Sequence, residues 1–195
     1  MSPLLAVCGS LKPAPGRAEP SACRELLKQA LAPVMSLYPA IEMLDLREVR
    51  LPPFDGRGPS EYGNADLVAV RHAVEDAAGY LFSVPAYWGG IGAAFKNFVE
   101  TVCGPGYDGG CSPFAKKPGA VMIVGADNST ARAAVPQIEA IFTALGITSV
   151  SGPVVVGDPG MLVDVEHAVL EMTAAAASVV LALPAMLAAT RAANR

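Results

Sequence analysis

The stretch Gly79-Tyr80-Leu81-Phe82-Ser83-Val84-Pro85-Ala86-Tyr87-Trp88-Gly89-Gly90 decides how this chain folds. Residues 79–84 are apolar without alternation, too short for a helix, and bounded by glycine and proline. Such a run reads as a strand buried on both faces. Pro85 to Gly90 reads as a loop at its end. Working outward, the same kind of run recurs at residues 3–9, 41–46, 119–125 and 150–156. Between these runs the apolar residues shift to helical spacing. One helix starts at the cap residue Ser21 with Leu26, Leu27, Ala30, Leu31 and Val34 on one face. Others are expected from about Asn64 to Ala77, Ile91 to Cys103 and Thr130 to Leu145, with a last one starting near Val163. Five buried strands alternating with helices imply a parallel sheet covered on both faces.

This α/β pattern fits a flavodoxin-like three-layer sandwich with a five-stranded parallel sheet of order 2-1-3-4-5. No GxGxxG follows the first strand and no GxxxxGK[ST] loop is present, so the usual dinucleotide and P-loop fingerprints are missing. No repeat or linker divides the chain, and residues 1–195 are expected to form one domain. In this order the chain reverses between the first and third strands, and a ligand crevice is expected at their C-terminal ends.

Composition narrows the function classes. Of 195 residues 52% are hydrophobic and 16% charged, with a net charge of −4. That excludes a disordered tail or a coiled coil, which need more charge. A pI near 5.2 and the lack of a basic run argue against a nucleic-acid partner. Mean hydropathy is +0.41, yet the one long apolar run, Met172 to Ala189, is mostly alanine and is interrupted by Pro184. It reads as a buried or dimer-facing helix rather than a membrane span. No basic n-region of a signal peptide is visible at the start. The four cysteines lack CxxC spacing and the two histidines lie far apart. Reduced thiols, a cytoplasmic location and no metal site are therefore expected.

Two loops reach the expected crevice. The first carries Gly9-Ser10-Leu11-Lys12 and, after a Pro-rich excursion, Ser21-Ala22-Cys23 at a helix start. Hydroxyls, a cation and the unpaired N–H groups of a helix N-terminus suit a phosphate. The second carries Pro85-Ala86-Tyr87-Trp88-Gly89-Gly90, where aromatics and glycines can admit a flat ring. Asp127 and Asn128 stand beside the crevice as either substrate contacts or turn residues. Cys103 and Cys111 flank a glycine-rich loop that reads as free thiols, a lid or a redox pair.

Gly9-Ser10-Leu11-Lys12, Leu51-Pro-Pro-Phe-Asp55, and Pro85-x-Tyr87-x-Gly89 with Lys96-Asn97 together resemble the NADPH-dependent FMN reductase family, which has the flavodoxin-like fold. The resemblance runs from about Leu4 to Val156. It implies FMN, with NADPH or NADH as reductant, a small-molecule acceptor and a homodimer. By position it places the phosphate on Ser10, Lys12, Ser21, Ala22 and Cys23. The ribityl chain and ring fall on Pro85, Ala86, Tyr87, Trp88, Gly89 and Gly90. The sequence departs from the family at several points. The usual Pro-Glu-Tyr-Asn-Gly-Ser is Pro-Ala-Tyr-Trp-Gly-Gly here, Ala22 and Cys23 replace more polar residues, and the third loop reads Gly125-Ala-Asp-Asn-Ser-Thr130 without paired glycines. The expected activity is NAD(P)H-driven reduction of flavin, quinone or a similar acceptor through flavin N5. The alternatives are an FMN tailoring enzyme for one metabolite and a flavodoxin-type electron carrier.

Overall fold

The computed structural model describes residues 2–13, 20–106, 112–160 and 162–193. Its centre is a sheet in which β1 (Leu4–Cys8) lies between β2 (Ile41–Asp45) and β3 (Gly79–Tyr87), with β5 (Pro118–Val124) on the other side of β3. All these pairings are parallel. Every residue of β1 and β5 is buried, as expected of strands covered on both faces.

Helices α1 (Ala22–Val34) and α6 (Leu162–Ala193) cover one face, through Leu27, Ala30, Met172, Ala176 and Val179. Helices α2 (Ala65–Asp76), α3 (Ala93–Cys103), α4 (Asn128–Ala133) and α5 (Val135–Leu145) cover the other. On that second face Tyr80, Phe82, Phe95, Phe98 and Phe114 form a chain of aromatic contacts with ring centroids 5.1–5.9 Å apart. Burying each such side chain contributes about 1.5–3 kcal/mol. By length and composition the stretch Val165–Ala185 of α6 is apolar enough to cross a membrane. In this fold its inner face, with Met172 and Val179 at 0% exposure, packs on α1 and the sheet.

Three elements differ from the sequence expectation. The third strand does not stop at Val84. It runs on to Tyr87 and turns through Trp88-Gly89 into the short β4 (Gly90–Ile91), so the expected loop is a β-hairpin. Of the expected fifth strand, residues 150–156, only the last three are strand, and a further two-residue piece precedes it on the same edge of β5. These pieces are β6 (Thr148–Ser149) and β7 (Val154–Val156), separated by the four residues 150–153, in which Gly152-Pro153 cannot continue a ladder. The helix expected over Thr130–Leu145 is two, because Pro136 starts a new first turn in α5.

Candidate functional site

The site lies at the C-terminal ends of β1, β3 and β5, where the chain order reverses. Its first wall is the start of α1. Ser21 caps this helix, its hydroxyl accepting from the Arg24 N–H at 3.4 Å and its carbonyl from Glu25 at 3.0 Å. The N–H groups of Ala22 and Cys23 are left without a partner among the described residues, as the first turn of a helix dictates. Ser10, 2% exposed, accepts the Lys12 N–H at 3.2 Å, and so folds the first loop back on itself.

The second wall is the hairpin. Pro85, Ala86 and Tyr87 face the α1 start across a cavity of about 210 Å³, closed by Val124, Gly125, Ala126 and Pro159. Ser10, Lys12, Ser21, Ala22 and Cys23 complete that lining, so the structure brings all five first-loop residues together with three from the second loop. A more open, apolar lobe of about 450 Å³ lies beyond, against Gly9, Leu11 and the start of α3 at Gly92-Ala93-Ala94. Lys12, Pro85 and Tyr87 line both lobes, and the Lys12 ammonium sits 5.8 Å from the centre of the Tyr87 ring. Close approach shapes this floor. A Cβ on Gly92 would stand 2.8 Å from Pro85 Cγ, and the Gly92 N–H donates to the Pro85 carbonyl at 2.7 Å.

Trp88, Gly89 and Gly90 sit elsewhere, at the hairpin tip, and line neither lobe. Trp88 and Gly89 have φ of 51° and 79°, the pair of positive values that marks a two-residue type I′ turn. The Trp88 indole is fully exposed. An Asn-Gly pair, usual in the family that the motifs resemble, suits this turn far better than a bulky residue does. Gln137 of α5 holds the tip, accepting from the Ile91 N–H at 3.2 Å and donating to the Gly89 carbonyl at 3.4 Å. As one polar residue on a helix surface, Gln137 gives no sequence signal that would single it out.

Asp127 resolves as a cap rather than a free contact. Its carboxylate accepts from the Thr130 N–H at 2.7 Å and from the hydroxyls of Ser129 and Thr130, and these bonds hold it below the usual aspartate range. The third loop is tight: Gly157 runs so close to Asn128 that a Cβ would fall 2.2 Å from its backbone nitrogen. His72 and His167 are exposed on α2 and α6. Cys103, the last residue of α3, is a half-buried free thiol, and Cys111, the other cysteine of that loop, lies outside the described residues.

The electrostatics are one-sided. No Asp or Glu lines either lobe among the described residues, and Lys12 is the cation there. Burial pushes the Cys23 thiol up to about 12, helped by nearby Cys8, and raises the Tyr87 phenol as well. Both stay protonated at neutral pH. Hydroxyls, free N–H groups and one ammonium, with no carboxylate, form a donor set that fits a phosphate. The adjoining apolar lobe fits a flat ring.

A family profile, that of NADPH-dependent FMN reductase, matches residues 3–160. The chain belongs to the NADPH-dependent FMN reductase family. Its cofactor is FMN, and it is an FMN-dependent oxidoreductase with NAD(P)H as the family's reductant. Among curated proteins none matches in sequence. Several solved structures share the fold. RosB with bound 8-demethyl-8-formylriboflavin-5′-phosphate has a TM-score of 0.70 at 12% identity, covering 100% of this chain and 87% of that one. The NADH:FMN oxidoreductase EMOB, in its apo form, has a TM-score of 0.69 at 14% identity, covering 93% and 90%. An azoreductase from Bacillus anthracis str. Sterne has a TM-score of 0.62 at 18% identity, covering 92% and 99%. At these identities the likeness is one of fold.

Proposed function

We propose that this FMN reductase family member takes a hydride from NADPH or NADH and passes it to a small acceptor such as a flavin or quinone. The donor set around the smaller lobe carries the reading. Ser10, Lys12, Ser21 and the free N–H groups of Ala22 and Cys23 would hold the FMN phosphate, and Pro85, Ala86 and Tyr87 would lie along the ribityl chain and ring. Bound FMN supplies a two-electron hydride acceptor and donor at N5. The chain's own part is to orient the ring and exclude water. Lys12 would offset part of the phosphate charge, and the Gly92–Pro85 contact fixes the floor under the hairpin. A side chain that titrates near neutral pH is not required of the lobes, because the cofactor carries the chemistry.

The test is an absorption spectrum of the purified protein before and after NADPH or NADH. A yellow protein bleached by either nucleotide is expected, with turnover when an acceptor is added. Inertness toward both nucleotides would sink this reading.

One observation favours a more specialised acceptor. Trp88 occupies a turn position that suits asparagine or glycine, and its indole points wholly into solvent beside the crevice. On this second reading Trp88 contacts a particular metabolite. Trp88→Ala should then shift the preference among acceptors while leaving flavin content intact.

We also propose a cytoplasmic homodimer formed through the outward face of α6, where Leu170, Ala174 and Leu181 are exposed. Light scattering that gives a monomer at working concentration would end that proposal.

A further inference from the structure

Arg24, in the first turn of α1, has its guanidinium engaged with two separate segments. Nε and Nη2 donate to the carboxylate of Asp45 at the end of β2, the latter at 2.9 Å. Nη1 donates to the backbone carbonyl of Lys12 at 2.8 Å. The side chains of Arg24 and Asp45 are 13% and 14% exposed, so the pair is largely shielded from solvent. We propose that Arg24 is a positioning residue for the cofactor phosphate: locked by Asp45, it grips the Lys12 carbonyl and fixes the Lys12 ammonium across the smaller lobe, which lets the site tell FMN from riboflavin. This rests on the phosphate lying at the first loop, as proposed above.

The geometry separates Arg24 from Lys12 in role. Asp45 neutralises the Arg24 charge and takes up the side of its fork that would otherwise clasp an anion. Lys12 has no carboxylate partner among the described residues. Its backbone is held on both sides, by Ser10 Oγ at the N–H and by Arg24 at the carbonyl. Its side chain lies on the wall shared by the two lobes, against Tyr87. A free lysine side chain samples many rotamers, so a fixed root and a flat surface to lie on make its ammonium a better-placed phosphate partner.

A plain structural tie between α1 and β2 would act through the N–H groups at the α1 start and so add independently to the loss of Lys12, whereas a positioning role runs through Lys12 itself; the coupling between the two separates the roles. The experiment titrates FMN and riboflavin into the flavin-depleted full-length chain by fluorescence and follows Tm in parallel. The variants are Arg24→Lys, which keeps the charge but loses the fork, and Arg24→Gln with Asp45→Asn, which leaves no orphaned charge. FMN binding should weaken about tenfold or more, the size of one hydrogen bond to a charged group, with riboflavin changed less than about twofold. Lys12→Met should give a similar loss, and combining it with the Arg24 change should add less than the sum. Equal losses for both flavins, an unchanged FMN affinity, or full additivity with Lys12→Met would each overturn the proposal. If Lys12→Met and Ser21→Ala remove the FMN preference while the Arg24 variants keep it, the phosphate reading stands and this proposal alone falls. A wild-type chain that binds both flavins equally removes the phosphate reading and the proposal with it.

Discussion

Gln137 reaches across from α5 to the hairpin, and its Oε1 accepts the Ile91 N–H at 3.2 Å while its amide nitrogen meets the Gly89 carbonyl. One side chain thus stitches the turn and the return strand β4 to the body of the fold. Gln137→Ala should cost about 1 kcal/mol of stability, the usual size of a net hydrogen bond. It should also raise the FMN dissociation constant by loosening the hairpin. Urea denaturation and flavin titration read the two effects; a variant unchanged in both would mean the bridge is idle.

The floor of the site gives a sharper steric forecast. Gly92→Ala would drive a Cβ to 2.8 Å from Pro85 Cγ and 3.3 Å from its carbonyl oxygen. Both belong to a stiff ring and a hydrogen-bonded backbone, so the neighbour cannot yield freely. We expect about 1–3 kcal/mol of destabilisation, typical of overpacking, together with loss of copurifying flavin. Wild-type flavin content in the alanine variant would show that the hairpin has more slack.

Trp88 offers the opposite case, a substitution that should stabilise. Trp88→Asn puts an Asn-Gly pair into a turn whose two central φ values are positive. Left-handed backbone costs an ordinary residue roughly 1–2 kcal/mol, and asparagine tolerates it better. A rise in Tm of a few degrees is expected, about 2–4 °C per kcal/mol at this size. A fall in Tm would show that the indole makes a stabilising contact.

The Arg24–Asp45 pair sets an acid dependence. Burial raises the Asp45 carboxyl, but the Arg24 hydrogen bonds, the Arg47 N–H and both guanidinium charges outweigh it and hold it below the ordinary value of 3.8. The folded value is thus depressed relative to the unfolded one. The pair's contribution is complete above pH 3.8 and is lost as pH falls through the lowered folded value. Tm profiles of wild type and of the neutral Arg24→Gln/Asp45→Asn variant should therefore converge as pH drops below 3.8. Profiles that stay parallel through that window would refute the linkage.

Thiol chemistry gives an independent check on burial. Cys8 is 0% and Cys23 3% exposed, and burial raises both thiols, Cys23 to about 12. Neither should react with iodoacetamide in the folded chain at pH 8, and both should react after unfolding. Mass spectrometry of the labelled protein decides the matter. Rapid native labelling of Cys23 would mean that the start of α1 opens readily.

Much of this was legible in the residues. Continuous apolar runs place β1, β3 and β5 correctly because both faces of a parallel strand are buried, and Ser21 caps α1 as its residue type predicts. The hairpin was hidden because Trp88 fills a position where asparagine or glycine would have announced the turn. The interruption of the edge strand is signalled by Gly152-Pro153, and that of the helix by Pro136, where the apolar spacing runs on from Ala131 and Ala134 to Ile138. The five first-loop residues line one lobe together. Gln137 and Arg24 carry no local signature. Their roles arise from partners 46 and 21 residues away in sequence, which only the assembled sheet brings together.

The broken edge beside β5 has a bearing on how so hydrophobic a chain avoids uncontrolled strand pairing during synthesis. A long bare strand would offer its row of unpaired amides to any neighbour, inviting strand addition and eventually fibrils. Here that margin is two residues, a four-residue interruption that ends in Gly152-Pro153, then three residues, with Thr148 and Ser149 exposed. No stretch is long enough to template another strand. Straightening it, for instance by Pro153→Val, should leave the monomer's site untouched and make the newly made chain prone to aggregate.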